Sequence, residues 1–280
     1  MSKAGSLSDA SNEETLSAIP SSATIPPTDI VLIRGLVRAR YHWGEFPQTL
    51  LAQLTQQLHQ PDLNLIQPEL PGNGDLFKDT TPTSINGMMH RIRDQVLAQQ
   101  ANHHRPIILI AISMGAMIAT EWAQQFPHEI QQLHLINTSF GNFSAPWQRM
   151  RIPPLLSLLP VIQNTAQLET RIMRWTVNTH HSPTLLDQWI EFAQQHPIRF
   201  GNALRQITAA SRYRAPKTAP NKNTFIYCSQ NDQLVSNQCS HHISTRWQVP
   251  LYSHRNAGHD LPLDAPQWLS ETICSNILID

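Results

Sequence analysis

The chain has 280 residues, 40% hydrophobic and 14% charged, with twenty Lys plus Arg against twenty Asp plus Glu. That length admits one large domain or two small ones, with a core that needs no metal or disulfide staple. A net charge of zero lacks the basic footprint of a nucleic-acid binder. Cys228, Cys239 and Cys274 are odd in number, far apart and without a C-x-x-C pair, so they form neither a disulfide framework nor a zinc ribbon.

Residues 1–28 are rich in Ser, Ala, Pro and Thr and read as a disordered tail. They contain no basic start followed by an apolar run, so no secretory leader is expected. The longest apolar run, Pro153 to Ile162, is about half of what a bilayer span needs. Free thiols and these absences together give a cytoplasmic expectation, with no membrane span.

From Asp29 onward, short apolar runs alternate with longer stretches of helical period. Asp29 to Leu36, with Ile30, Val31, Leu32 and Ile33, reads as a buried parallel strand. Phe46, Leu50, Leu54 and Leu58 then recur at helical spacing. Leu63 to Ile66 is a second strand, stopped by the turn Pro71-Gly72-Asn73-Gly74. A helix around Met89, Ile92 and Val96 leads to the clearest strand, Pro106 to Ile112. Behind it, Ile118, Trp122 and Phe126 lie on one helix face. Ile130 to Ile136 is another strand. Residues 142–220 are Pro-rich and helical, with Trp147, Trp175, Trp189 and Phe192 and no convincing strand. The alternation resumes with a strand at Asn223 to Cys228, a helix at Gln238 to Trp247, a strand at Leu251 to His254 and a closing helix at Pro266 to Leu278. This is the pattern of an α/β fold, a mostly parallel sheet covered by helices on both faces. Residues 29–141 and 221–280 would form its core, with 142–220 inserted as a helical cap.

The chemistry concentrates at Ala111-Ile112-Ser113-Met114-Gly115, between the best strand and the best helix. A nucleophile on a sharp strand-to-helix turn needs small residues two positions before and two after it, because the backbone there is crowded. A serine hydroxyl also needs a base oriented by a carboxylate. Asp232 follows the strand ending at Cys228, and His259 follows the strand ending at His254, each at a strand's carboxyl end. The chain order Ser, acid, His is that of doubly wound serine hydrolases. Adjacent pairs His103 and His104, His180 and His181, and His241 and His242 point their side chains apart and are not expected to bind metal. Asp264, before Ala265-Pro266, reads as a helix N-cap, and Asp260 as structural. The run Pro153 to Ile162 reads as the packed face of a cap helix, or else as a lid touching lipid or a greasy substrate.

On Ile33-Arg34-Gly35-Leu36, Trp43, Pro71-Gly72-Asn73-Gly74, the Ser113 elbow, Asp232 and Gly258-His259, the chain resembles the α/β-hydrolase family from about Asp29 to its end. The resemblance implies an oxyanion hole made by the backbone N–H groups of Leu36 and Met114. Arg34 stands where the family commonly has His, and Ala111 where it commonly has Gly. Residues 1–28 show no alternating apolar pattern, so the strand hairpin that the family usually has before this strand is expected to be lost, and a sheet of about six strands is expected. The implied activity is hydrolysis of a carboxylic ester or thioester with an apolar acyl group, through a Ser113–His259–Asp232 triad and an acyl-enzyme, without metal or organic cofactor. An acyltransferase using the same triad, or a non-catalytic ligand-binding member of the fold, is the alternative.

Overall fold

A computed structural model describes residues 27–58, 62–100, 105–161, 164–179 and 183–277. The expected N-terminal tail lies outside these residues up to position 26, and so do the pairs His103–His104 and His180–His181. Among the described residues six strands form one sheet: β1 (Thr28–Ile33), β2 (Leu63–Ile66), β3 (Ile107–Ile112), β4 (Ile130–Ile136), β5 (Thr224–Ser229) and β6 (Leu251–His254). Every pairing is parallel, in the order β2-β1-β3-β4-β5-β6. Parallel strands buried on both faces need no polar alternation, and β1 and β3 are buried throughout.

The side chains of β1 and β3 divide between the two faces with period two. Val31, Ile33, Leu109 and Ala111 pack on one side with α2 (Ile85–Gln99), α3 (Met114–Gln125) and α9 (Gln238–Trp247). Ile30, Leu32, Ile108 and Ile110 pack on the other with α1 (Phe46–Gln57) and α11 (Pro266–Ile277). Between β4 and β5 the chain forms α4 (Pro146–Arg149), α5 (Ile152–Leu158), α6 (Thr165–Thr176), α7 (Pro183–Gln195) and α8 (Phe200–Arg212). A short α10 (Leu261–Asp264) precedes α11. No helix among the described residues is long and apolar enough to cross a membrane.

Strand order reverses between β1 and β3, and in open α/β sheets the crevice outside the carboxyl ends at such a point takes the ligand. Three local readings change. β1 stops at Ile33, not Leu36, because the chain must turn there to carry Gly35 across the start of α3. Asp264 is not an N-cap. It ends α10, and its carboxylate accepts from the Gly258 N–H at 2.6 Å and from the N–H groups of Asn178 and Thr179 at 2.9 and 3.0 Å. The run beginning at Pro153 is only partly a packed face, since Pro154 and Leu158 line a cavity while Leu156 is 59% exposed.

Candidate active site

Ser113 follows the last residue of β3 and caps α3 with φ 57° and ψ −122°, a conformation that L-residues rarely hold. Its surroundings keep it there. The Ser113 N–H donates to the Ile136 carbonyl at 2.9 Å, and the Thr138 hydroxyl donates to the Ser113 carbonyl at 2.8 Å. Two glycines permit the close approach of β1. A Cβ on Gly115 would stand 2.4 Å from the carbonyl oxygens of Ile33 and Arg34, and one on Gly35 would stand 3.0 Å from the Ser113 Cβ. The sharp turn and the loop after β1 therefore interlock.

The structure brings Asp232 and His259 together. His259 Nδ1 lies 2.7 Å from Asp232 Oδ2, with both residues buried. The other carboxylate oxygen, Oδ1, accepts the N–H groups of Leu234 and Val235 at 2.8 and 2.9 Å, so the carboxylate cannot swing away. Ser113 and His259 line the same cavity, and no direct hydrogen bond joins them in this structure. Such bonds are often long before substrate binds. Leu36 and Met114 line that cavity too, and among the described residues neither backbone N–H has a hydrogen-bond partner. A first-turn N–H such as that of Met114 has no intrahelical acceptor and is free for an anion.

The cavity measures about 580 Å³. Its floor is the carboxyl edge of β1 and β3. Ile152, Leu158, Trp175 and Ile207, all from the segment between β4 and β5, form much of its apolar wall with Leu36 and Met117. Trp189 is instead buried over Arg38, whose guanidinium carbon sits 4.7 Å from the ring.

Several supporting residues escape a reading of the sequence. Asn137, one position past β4, has φ 44° and is buried. Its Oδ1 accepts the Ser229 N–H at 2.8 Å, and its Nδ2 donates to the His259 carbonyl at 2.8 Å, the Ser229 hydroxyl at 3.0 Å and the Gly258 carbonyl at 3.3 Å. One amide thus ties the loop of His259 to the end of the strand that leads to Asp232. Its place just beyond a strand's carboxyl end is the signal the sequence offers. Arg34, where a histidine is common in the resembled family, makes a buried bidentate pair with Asp260 at 3.0 and 2.7 Å. That pair joins the loop after β1 to the residue beside His259. In the same loop the Val37 N–H donates to Gln206 Oε1 of α8 at 2.8 Å, and Gln206 Nε2 donates to Asn73 Oδ1 at 2.8 Å. Arg38 pairs with Glu169 of α6 at 2.7 Å. Nearby Glu69, buried beneath the Gly72-Asn73-Gly74 turn, has its carboxyl pushed up to about 7 by burial, although it accepts the Arg40 N–H at 3.1 Å. Among the described residues no three His, Cys, Asp or Glu side chains gather as a metal site.

A wholly parallel sheet, a serine on a strained turn at its switch point and an adjoining His–carboxylate pair define the class of doubly wound hydrolases. The chain belongs to the Alpha/beta hydrolase family, whose sequence model matches residues 30–272. No curated protein matches it in sequence. Among solved structures it is similar to a putative lipase from Acinetobacter baumannii AYE, 19% identical with TM-score 0.72, over 92% of this chain and 85% of that one. An esterase from Exiguobacterium antarcticum is 13% identical with TM-score 0.69, over 89% and 91% of the two chains. A 2-hydroxy-6-oxo-6-phenylhexa-2,4-dienoate hydrolase from Rhodococcus sp. strain RHA1 is 16% identical with TM-score 0.69, over 89% and 90%. These likenesses establish the shared fold.

Proposed function

We propose that the protein is a serine hydrolase that cleaves a carboxylic ester or thioester bearing an apolar acyl group. The Ser113 hydroxyl attacks the acyl carbon while His259 Nε2 takes its proton. The tetrahedral oxyanion is held by the N–H groups of Leu36 and Met114, and His259 returns the proton to the leaving alcohol or thiol. Water, deprotonated by His259, then adds to the acyl-enzyme, and its collapse frees the acid and regenerates Ser113. Asp232 fixes the imidazole with Nδ1 protonated, so that Nε2 faces the serine.

The observation that carries this reading is the 2.7 Å contact between His259 and a doubly anchored Asp232, on the rim of the cavity that Ser113 enters. The apolar wall supports the acyl preference, with residues 142–220 acting as a cap over the carboxyl edge of the sheet. Three buried, unpaired cysteines support a cytoplasmic setting. Titration with a fluorophosphonate probe and hydrolysis of p-nitrophenyl butyrate, each on wild type and Ser113→Ala, test the proposal. Wild type should label at Ser113, and the variant should lose roughly three or more orders of magnitude in kcat. Equal rates in the two proteins would end it.

A further inference from the structure

We infer that the outer face of α5 and α8 docks on an anionic phospholipid surface and sets the cavity mouth against it. Ile152 and Leu156 of α5 and Trp147 of α4 are 57%, 59% and 67% exposed. Phe200, Leu204 and Ile207 of α8 are 64%, 51% and 42% exposed. The spacing i, i+4, i+7 puts the last three on one stripe, whereas Asn202, Gln206 and Ala209 form the buried side of the same helix. Trp147, Ile152 and Ile207 are both exposed and part of the cavity wall, so this apolar rim runs continuously into the chamber beside Ser113. A helix packed only for the fold buries its apolar stripe. This one turns it outward.

Charge chooses the occupant. Residues 142–220 carry nine of the twenty Lys and Arg but only three of the twenty Asp and Glu, a net of +6 that leaves −6 on the rest of the chain. Glu169, one of those three acids, is buried against Arg38. Arg199, Arg205 and Arg212 flank the α8 stripe, and Arg151 precedes Ile152; all four are exposed. Large aliphatic and aromatic side chains bordered by arginines match the boundary between acyl chains and anionic headgroups. The excess of positive charge in the segment that bears this rim draws the mouth toward such a surface.

The inference goes beyond the hydrolase proposal and is tested apart from it, by sedimenting Ser113→Ala protein with vesicles. Vesicles of phosphatidylcholine mixed with phosphatidylglycerol should bind at least roughly tenfold more tightly than vesicles of phosphatidylcholine alone, and added salt should weaken the binding. The double variant Phe200→Ser/Leu204→Ser, in the same Ser113→Ala background, should lose roughly tenfold or more of that binding at an unchanged melting temperature. In the Ser113-bearing protein the same two substitutions should leave hydrolysis of a short soluble ester intact. No binding, equal binding to neutral vesicles or undiminished binding by the double variant would overturn docking. So would self-association in solution that the double variant abolishes, because the face would then be a contact between copies. Failure of Ser113 to label with a fluorophosphonate would sink the hydrolase proposal and leave these vesicle results standing.

Discussion

Asn137→Gly separates what the Asn137 side chain contributes from what its backbone demands. Position 137 has φ 44°, which glycine adopts without penalty, so the substitution removes the amide without straining the chain. What disappears is one acceptor, for the Ser229 N–H, and a donor shared among the Ser229 hydroxyl and the carbonyls of Gly258 and His259. Taking about 1 kcal/mol for each of the three shortest bonds gives a loss of about 3 kcal/mol, and these groups are left unpaired in a buried site. Denaturant unfolding should therefore show a midpoint shift of that size with an unchanged slope. Freed from the amide, the His259 loop loses its tie to β5, and a displacement of about 1 Å would lower kcat by roughly a hundredfold. Asn137 also lines the cavity beside Ser113, so KM is measured alongside kcat, and the claim of a tie between the two loops is carried by the fall in kcat. An activity loss below about twofold together with a stability loss below about 1 kcal/mol would refute the claim that this amide holds the two loops together.

Three further outcomes follow from the geometry. Gly115→Ala forces α3 away from two backbone carbonyls that a Cβ would approach to 2.4 Å, so stability should fall by about 1–3 kcal/mol and activity should fall with it; urea melts check this. Asp260→Ala leaves the buried Arg34 guanidinium unpaired and should cost about 3–5 kcal/mol, and the double replacement Arg34→Met/Asp260→Ala should recover part of it in thermal melts. Glu69 has a folded-state value near 7, above its ordinary 4.5, so its protonated form stabilises the fold below about pH 4.5, and that contribution is lost as pH rises through 7. Relative to Glu69→Gln, wild type should lose up to about 3 kcal/mol between pH 5 and pH 8, and a pH-independent difference between the two would refute the assignment.

The core strands and the helices behind them are legible in the sequence because burial on both faces demands unbroken apolar runs, as at Ile107 to Ala111. The strand at Leu251 to His254 and the helix at Gln238 to Trp247 emerge with the bounds expected of them. The Ser113 turn is equally plain, since crowding restricts its neighbours to small residues. Asp232 and His259 are found by their place after strands, because chain order and strand ends are properties of the sequence. The supporting network is hidden for a different reason. Asn137 with Gly258, Arg34 with Asp260, and Val37 with Gln206 are pairs 121, 226 and 169 positions apart, and nothing in either partner's local pattern points to the other. Asp264 shows the same limit, since its neighbours suggest a helix start while its carboxylate gathers amides from two loops.

The hydrogen bond from Val37 to Gln206 has a bearing on engineering. The roof of the chamber grips the strip of backbone that carries Leu36, and through Asn73 it also grips the turn beneath. Grafting α8 from a relative to reshape the cavity would therefore disturb the floor beside Ser113 as well as the ceiling. A transplant that keeps a glutamine at 206 retains this tether, whereas one that omits it trades selectivity against turnover.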